Sequence, residues 1–174
     1  MAMNKSTKAL AGAGLFAAIV AVGAVGFGVV RTLADDPSSQ GTTDRQAEVA
    51  RKGAQVMPFD LESTTHVFTD TDTGGREVVT ANDPADSQQI ELIRSHLKEI
   101  VSQFSQGDFS GPTATHGDAM PGLAELKAGY DRVEFIYEEL PDGAAITYKT
   151  SDPVMVSVLH TWFAAQRSDH GAHQ

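Results

Sequence analysis

Apolar residues form one long uninterrupted run near the N-terminus. Residues 9–30 (ALAGAGLFAAIVAVGAVGFGVV) are 22 consecutive positions without a charged or strongly polar side chain. About 20 such residues span the hydrocarbon core of a bilayer as a helix. Lys5 and Lys8 precede the run and Asp35-Asp36 follow it, a charge asymmetry that favours a cytoplasmic N-terminus. The pattern predicts that residues 1–34 are a single-pass anchor in the cell membrane, with the rest of the chain extracytoplasmic.

The same segment has a second interpretation, a cleaved signal peptide. Thr32-Leu33-Ala34 offers a small-residue cleavage site after the apolar run. The run of 22 residues is long for a signal peptide, which usually has about 7–15 apolar residues. A retained anchor keeps the protein on the membrane, whereas cleavage releases it as an exported domain. Both interpretations place the bulk of the chain outside the cytoplasm.

Beyond the N-terminal segment, β-branched and aromatic residues concentrate in two pairs of short runs. The runs are residues 65–69 (THVFT), 76–81 (REVVTA), 132–140 (RVEFIYEEL) and 145–150 (AITYKT). Gly74-Gly75 separates the first pair, and Pro141-Asp142-Gly143 separates the second. Short runs around glycine-containing turns predict two antiparallel hairpins.

Each predicted hairpin is followed by a run with helical periodicity. Asn82-Asp83-Pro84 ends the first hairpin and Ser151-Asp152-Pro153 ends the second, and a polar residue before proline is typical of a helix start. Apolar residues then recur at three- and four-residue steps, which predicts a buried helix face. These positions are Ile90, Ile93, Leu97, Ile100 and Phe104, then Met155, Leu159, Trp162, Phe163 and Gln166.

The order ββα-ββα predicts an α+β domain. Its sheet is four-stranded and antiparallel, with two helices on one face. The predicted domain spans residues 57–169, preceded by a linker at 35–56 with a polar stalk helix over Thr43–Gln55, and followed by a flexible tail at 170–174. An irregular connection leads to a further short helix over Pro121–Ala128.

Charge and cysteine content narrow the possible functions. All 23 acidic residues lie at or after Asp35, and the chain carries a net charge of −10. A domain this acidic repels the phosphate backbone, so nucleic acid is not an expected partner. The chain has no cysteine, which excludes disulfides, thiolate nucleophiles, iron–sulfur clusters and cysteine-type zinc sites.

Three strings, MPFDLESTTHVFTDTDTGG, HGDAMPGLAEL and HTWFAAQRSDHG, resemble a group of small exported bacterial proteins of unknown function. The resemblance covers residues 46 to about 170 and implies export and this architecture. Some members carry the label aspartate carbamoyltransferase. Transcarbamoylases bind carbamoyl phosphate with a Ser-Thr-Arg-Thr-type helix N-terminus and use two domains of about 150 residues each. This sequence has neither feature, so the resemblance implies no activity.

The sharpest candidate site is the string from His116 to Met120 (HGDAM). An imidazole and a thioether four residues apart, at the start of a helix, can point the same way. Without cysteine, this pair suits Cu(I) better than zinc, calcium or magnesium. His66, His160 and Met57 are further candidate ligands if the fold brings them near. The sequence therefore predicts copper as the possible cofactor.

Each of these residues also has a structural interpretation. His116 or Asp118 would cap the helix after Pro121, and Met120 would pack in the core. His66 and His160 would then be hydrogen-bonded structural histidines. The sequence leaves both interpretations open.

Catalytic motifs are missing from the sequence. It contains no nucleophile elbow, no His-Glu-x-x-His, no phosphate loop and no dinucleotide fingerprint. We therefore expect a membrane-tethered extracytoplasmic binding or accessory domain of the cell envelope, with no catalysis, which partners another envelope protein or holds a metal. The alternatives are a periplasmic copper-binding or copper-delivery protein with His and Met ligands, and a small hydrolase of unknown type.

Overall fold

The computed structural model describes residues 37–171 of the 174-residue chain. The predicted anchor at residues 1–34 lies outside the described residues. Among those that are described, no helix is long and apolar enough to cross a membrane. The elements in chain order are α1 (Pro37–Gly53), β1 (Thr64–Thr71), β2 (Gly74–Ala81), α2 (Ser87–Phe104), α3 (Ser110–His116), α4 (Leu123–Gly129), β3 (Glu134–Leu140), β4 (Gly143–Lys149) and α5 (Pro153–His170).

The strands form one antiparallel sheet in the order β1-β2-β4-β3. In both predicted hairpins a glycine is the first residue of the second strand, directly after the two-residue turn. Gly74 has φ 138°, which side chains rarely adopt. A Cβ on Gly143 would collide with the carbonyl of Val79, where β2 and β4 pair. The prediction of an α+β domain with a four-stranded antiparallel sheet is confirmed.

The sheet buries alternate positions against the helices. Along β1, His66 and Phe68 are buried while Val67 between them is 41% exposed, as the period-two geometry of a strand requires. α2 contacts β2, β3 and β4, and α5 contacts β1 and β2. The core residues that are almost fully buried include Val79, Ile93, Leu97, Ile146, Leu159 and Trp162.

The helix predicted as a stalk differs from the expectation. It spans Pro37–Gly53 rather than Thr43–Gln55, and it packs against α5 and α3. Val49 is buried at 2% exposure, and Arg45 bonds the carboxylate of Asp169 in α5. Polar contacts from Arg45 and Gln46 help to attach this helix to α5, and hydrophobic periodicity does not register such contacts.

The connection between α2 and β3 also differs from the expectation. Ser110–His116, predicted to be irregular, forms α3. The next helix, α4, begins at Leu123, and its N-cap is Gly122 with φ 80° and no capping side chain. A Cβ on Gly122 would lie 2.9 Å from the backbone of α5, so only glycine fits there. Neither His116 nor Asp118 therefore caps this helix.

The C-terminal tail begins later than predicted. The sequence predicts a flexible tail at residues 170–174, but His170 is the last residue of α5. Gly171 follows with φ 57° and its N–H donates to the carbonyl of Arg167, a glycine terminus that ends the helix. Because α5 extends this far, the side chain of His170 makes the interior contacts described below.

Candidate functional site

A cavity of about 300 Å³ lies between α2, α3, α5, the sheet and the loop after α1. Four of the six histidines in the sequence line it. These are His66, His96, His116 and His170. Such a concentration of imidazoles makes this cavity the candidate functional site.

The four histidines come from four different elements. His66 is at an inward position of β1, and His96 lies on α2 beside the buried Leu97. His116 and His170 are the last residues of α3 and α5. Their convergence depends on how the helices pack onto the sheet, since the residues are far apart in the sequence.

Aromatic contacts connect these rings in series. His170 lies between His116, at 5.4 Å between ring centroids, and His66, at 5.3 Å. Phe59 then lies 5.7 Å from His66 and 5.6 Å from His96. The imidazoles thus share one continuous aromatic wall.

A partly buried ion pair between Arg45 and Asp169 fixes the orientation of His116. Its Nδ1 lies 2.8 Å from Oδ2 of Asp169, and the same carboxylate accepts bonds of 3.0 and 2.6 Å from Arg45. Burial opposes the charge of Asp169, yet the bonds from Arg45 and His116 lower its pKa. The ionised carboxylate can only accept, so Nδ1 of His116 donates and Nε2 keeps its lone pair.

Burial acts on the charge of His116 itself. It lowers the pKa of this histidine, although the bond and the charge of Asp169 oppose the shift. The imidazole is therefore neutral at neutral pH. A neutral histidine held by a carboxylate at one nitrogen is the arrangement that commonly supports metal or ligand binding at the other.

Glu77 is the second ionisable feature of the cavity. It points inward from β2, is 8% exposed, and accepts a 2.6 Å hydrogen bond from the hydroxyl of Tyr148. Burial raises the pKa of Glu77 to about 7, although the hydrogen bond from Tyr148 opposes the shift. Both residues line the cavity. Carboxyl groups perturbed in this way are common at functional sites.

Several cavity-lining residues carry polar atoms without a hydrogen bond. In the described part of the chain, Nε2 of His96, Oγ1 of Thr115 and Nε1 of Trp162 are buried and have no partner. Each of these residues lines the cavity. Leaving such a group unsatisfied costs about 1–3 kcal/mol, so their grouping indicates a place where a polar ligand would bind.

The structure brings together only part of the predicted copper site. His66 and His116 line the cavity, as does Met57. Met120 is buried in the core and shares a different depression with His116. His160 bonds the carbonyl of Thr71 through Nε2 at 3.0 Å, and it lies ten residues before His170, about 15 Å along α5.

Residues 37–171 contain no group of three or more His, Cys, Asp or Glu side chains already arranged to hold a metal. The rings of His66 and His170 are stacked, with 23° between their planes. Nε2 of His170 lies 3.2 Å from Oε1 of Gln166. Coordination of one ion by these histidines would require the His170 ring to turn.

Sequence reasoning missed three residues of this site. Neither His96 nor Glu77 stands out in the sequence as a site residue, and His170 falls in the predicted flexible tail. The strand pattern contained a signal for Glu77, since it lies two residues from the buried Val79 and so shares its face of the sheet. The position of His170 carried no such signal, because it depends on where α5 ends.

Comparisons with known proteins add no relative to this picture. No protein-family model, no curated protein and no solved structure significantly matches the chain.

Proposed function

We propose that this protein is a membrane-tethered extracytoplasmic domain that binds a small ligand in its histidine-lined cavity. In this proposal the apolar segment at residues 9–30 anchors the chain, and a ββα-ββα module with both helices on one sheet face forms the cavity. The cavity, lined by four of the six histidines, is the observation that carries the proposal.

The size and chemistry of the cavity support binding of a small molecule. Ligand pockets typically measure about 300–1,000 Å³ and combine apolar walls with a few polar groups. This cavity, at about 300 Å³, is at the small end. Its walls include Phe68, Phe104 and Trp162 beside the polar groups of Glu77 and His96. A ligand with one polar group and a compact apolar body matches this lining.

Native mass spectrometry of the full chain, purified from membranes in detergent, tests ligand binding. Gly111 lines the cavity, and a Cβ there meets only Val56 at 3.9 Å, so Gly111→Leu should obstruct the cavity without backbone strain. Gly41 has nothing within 4 Å of an added Cβ, so Gly41→Leu is the matched control. We expect a bound small-molecule mass on wild type and Gly41→Leu, but not on Gly111→Leu. The same spectrum for all three proteins contradicts the proposal.

Protease treatment of intact cells and spheroplasts tests the location separately. The tether predicts that protease added outside the cytoplasmic membrane removes the bulk of residues 35–174 and leaves the N-terminal segment in the membrane fraction. Protection of the domain in spheroplasts would overturn the extracytoplasmic assignment while leaving the ligand-binding proposal intact.

Copper binding is a second candidate function, favoured by the contact of both His66 and His116 with the ring of His170. The hydrogen bond that Nδ1 of His116 donates to Asp169 leaves Nε2 of His116 as the acceptor. Met57 lines the same cavity and supplies a thioether. A soft ligand set of imidazoles and a thioether suits Cu(I).

Competition against a chromogenic Cu(I) chelator compares the two possible ligand sets in the full chain. If the cavity holds copper, His170→Gln and Met57→Leu should lose most of the Cu(I) affinity, while His160→Gln and Met120→Leu keep it. The reverse result would favour the set predicted from the sequence. No affinity in wild type would exclude copper in either place.

A further inference from the structure

The charged side chains around the cavity have one sign. Glu77 lies inside and Glu99, which is exposed, lies at the rim. Among the described residues that line the cavity there is no lysine and no arginine. Burial lowers the pKa of His96 and of His116, so these two imidazoles do not offset the carboxylates at neutral pH. An anionic ligand would therefore find no lysine or arginine side chain to pair with here.

Glu77 has no cationic partner within the described part of the protein. Glu77 is 8% exposed, and its carboxyl accepts a hydrogen bond from the hydroxyl of Tyr148. None of the ion pairs among residues 37–171 includes it. A buried carboxylate is costly unless it is paired. A cation that enters with a ligand would supply the missing pair.

Aromatic rings line the same cavity as this carboxyl. Tyr148 and Trp162 line the cavity with their ring centroids 5.5 Å apart, and Phe104 lies 6.2 Å from Trp162. The faces of such rings attract ammonium groups, most strongly where water is excluded. A carboxylate combined with aromatic walls is a lining that suits an organic ammonium better than a neutral or anionic molecule.

We infer that the cavity takes a small organic cation, an amine that is protonated at neutral pH. Its ammonium group pairs with Glu77, and its apolar body lies against Tyr148 and Trp162. This inference rests on the proposed ligand-binding function and names the class of ligand. The acidic charge of the chain, −10 overall, also attracts cations toward the cavity rim at Glu99.

Isothermal titration of the full chain in detergent at neutral pH tests the inference with two probes of nearly the same shape. Benzylamine is protonated under these conditions, whereas benzyl alcohol is neutral. We expect wild type to bind benzylamine at least about tenfold more tightly, the ratio that one charge-assisted bond of about 1.4 kcal/mol gives. Glu77→Gln keeps the size of the side chain and an acceptor for Tyr148, and it should remove this preference.

Two variants and a folding measurement make the outcome decisive. Glu134→Gln neutralises an exposed carboxylate of β3 outside the cavity and should leave the preference unchanged. Tyr148→Phe keeps the aromatic wall but removes the hydrogen bond that opposes the raised pKa of Glu77, so it should weaken the amine preference at neutral pH. Thermal melting in the same detergent verifies that each variant is folded.

Equal binding of the two probes by wild type overturns the cation inference and leaves the proposed function standing. So does an undiminished amine preference in folded Glu77→Gln. If wild type binds neither probe while Cu(I) binds in the chelator competition, the cation inference is also overturned and copper becomes the ligand. If neither probe nor Cu(I) binds and native mass spectrometry shows no bound mass, the ligand-binding function fails together with the inference.

Discussion

Replacing Glu77 by glutamine should stabilise the domain at alkaline pH, although it removes a candidate ligand-binding group. The carboxyl is 8% exposed, and its pKa is raised to about 7 by burial, from an ordinary 4.5. Between pH 4.5 and about 7, Glu77 is therefore protonated in the folded state and ionised in the unfolded state. Stability should fall as the pH rises through this window, since the folded state holds more protons than the unfolded one.

The magnitude follows from the same two pKa values. Above pH 7, ionisation of Glu77 lowers the free energy of unfolding by about 3 kcal/mol, compared with a side chain that stays protonated. This value holds if the unfolded state keeps the ordinary pKa. Glutamine never ionises, and its Oε1 can still accept the hydrogen bond from Tyr148. Glu77→Gln should therefore match wild type near pH 4 and exceed its free energy of unfolding by about 2–3 kcal/mol at pH 8.

Urea unfolding of the compact unit Asp35–Gln174 at pH 4, 6 and 8 measures this difference. Other titrating groups act alike in wild type and variant, so the difference between the two curves isolates Glu77. Glu134→Gln, in an exposed strand position, is the matched control and should give a flat difference. A constant difference between wild type and Glu77→Gln across the pH range, or a less stable variant at pH 8, would refute the reasoning.

Three further expectations concern the frame around the cavity. Asp169→Asn weakens the bonds to Arg45 and should lower the free energy of unfolding, measured in urea at pH 7, by about 1–3 kcal/mol. The pKa of Asp169 is lowered despite its burial, so this loss should shrink under strongly acidic conditions, where the wild-type carboxyl is protonated. Gly122→Ala forces a side chain into φ 80° and against α5, so it should lose about 1–3 kcal/mol, whereas Gly41→Ala in the open part of α1 should gain up to about 1 kcal/mol. Deleting residues 1–34 should leave a soluble folded fragment by circular dichroism and sedimentation, and an insoluble product would contradict the boundary.

The sheet and its two long helices were predictable because each depends on local periodicity. Runs of β-branched and aromatic residues on either side of Gly74-Gly75, and on either side of Pro141-Asp142-Gly143, predict two hairpins, and both form. The buried residues of α2, Ile90, Ile93 and Leu97, recur at three- and four-residue steps. Hydrophobic burial along one element leaves a repeating trace in the sequence.

The candidate site was less predictable because it depends on contacts between elements. Arg45 attaches α1 to α5 through one carboxylate, and no period marks a single ion pair. His170 reaches the cavity because α5 continues to Gly171, beyond the run of apolar residues. Residue type alone indicates His66, His116 and Met57 as candidate ligands, but it does not indicate His96 or Glu77. Residue type identifies which side chains can bind a ligand, whereas packing determines which of them meet.

Several features that weaken this fold lie around one cavity, and their grouping supports a binding function more strongly than any single residue does. Glu77 is a buried carboxyl without a cationic partner among the described residues. His96, Thr115 and Trp162 carry buried polar atoms without hydrogen bonds, and all four residues line the same space. Apolar residues of similar size at these positions would avoid each of these costs. A ligand that carries a cation and hydrogen-bonding groups would offset several of these costs at once, which ties the local instability to binding.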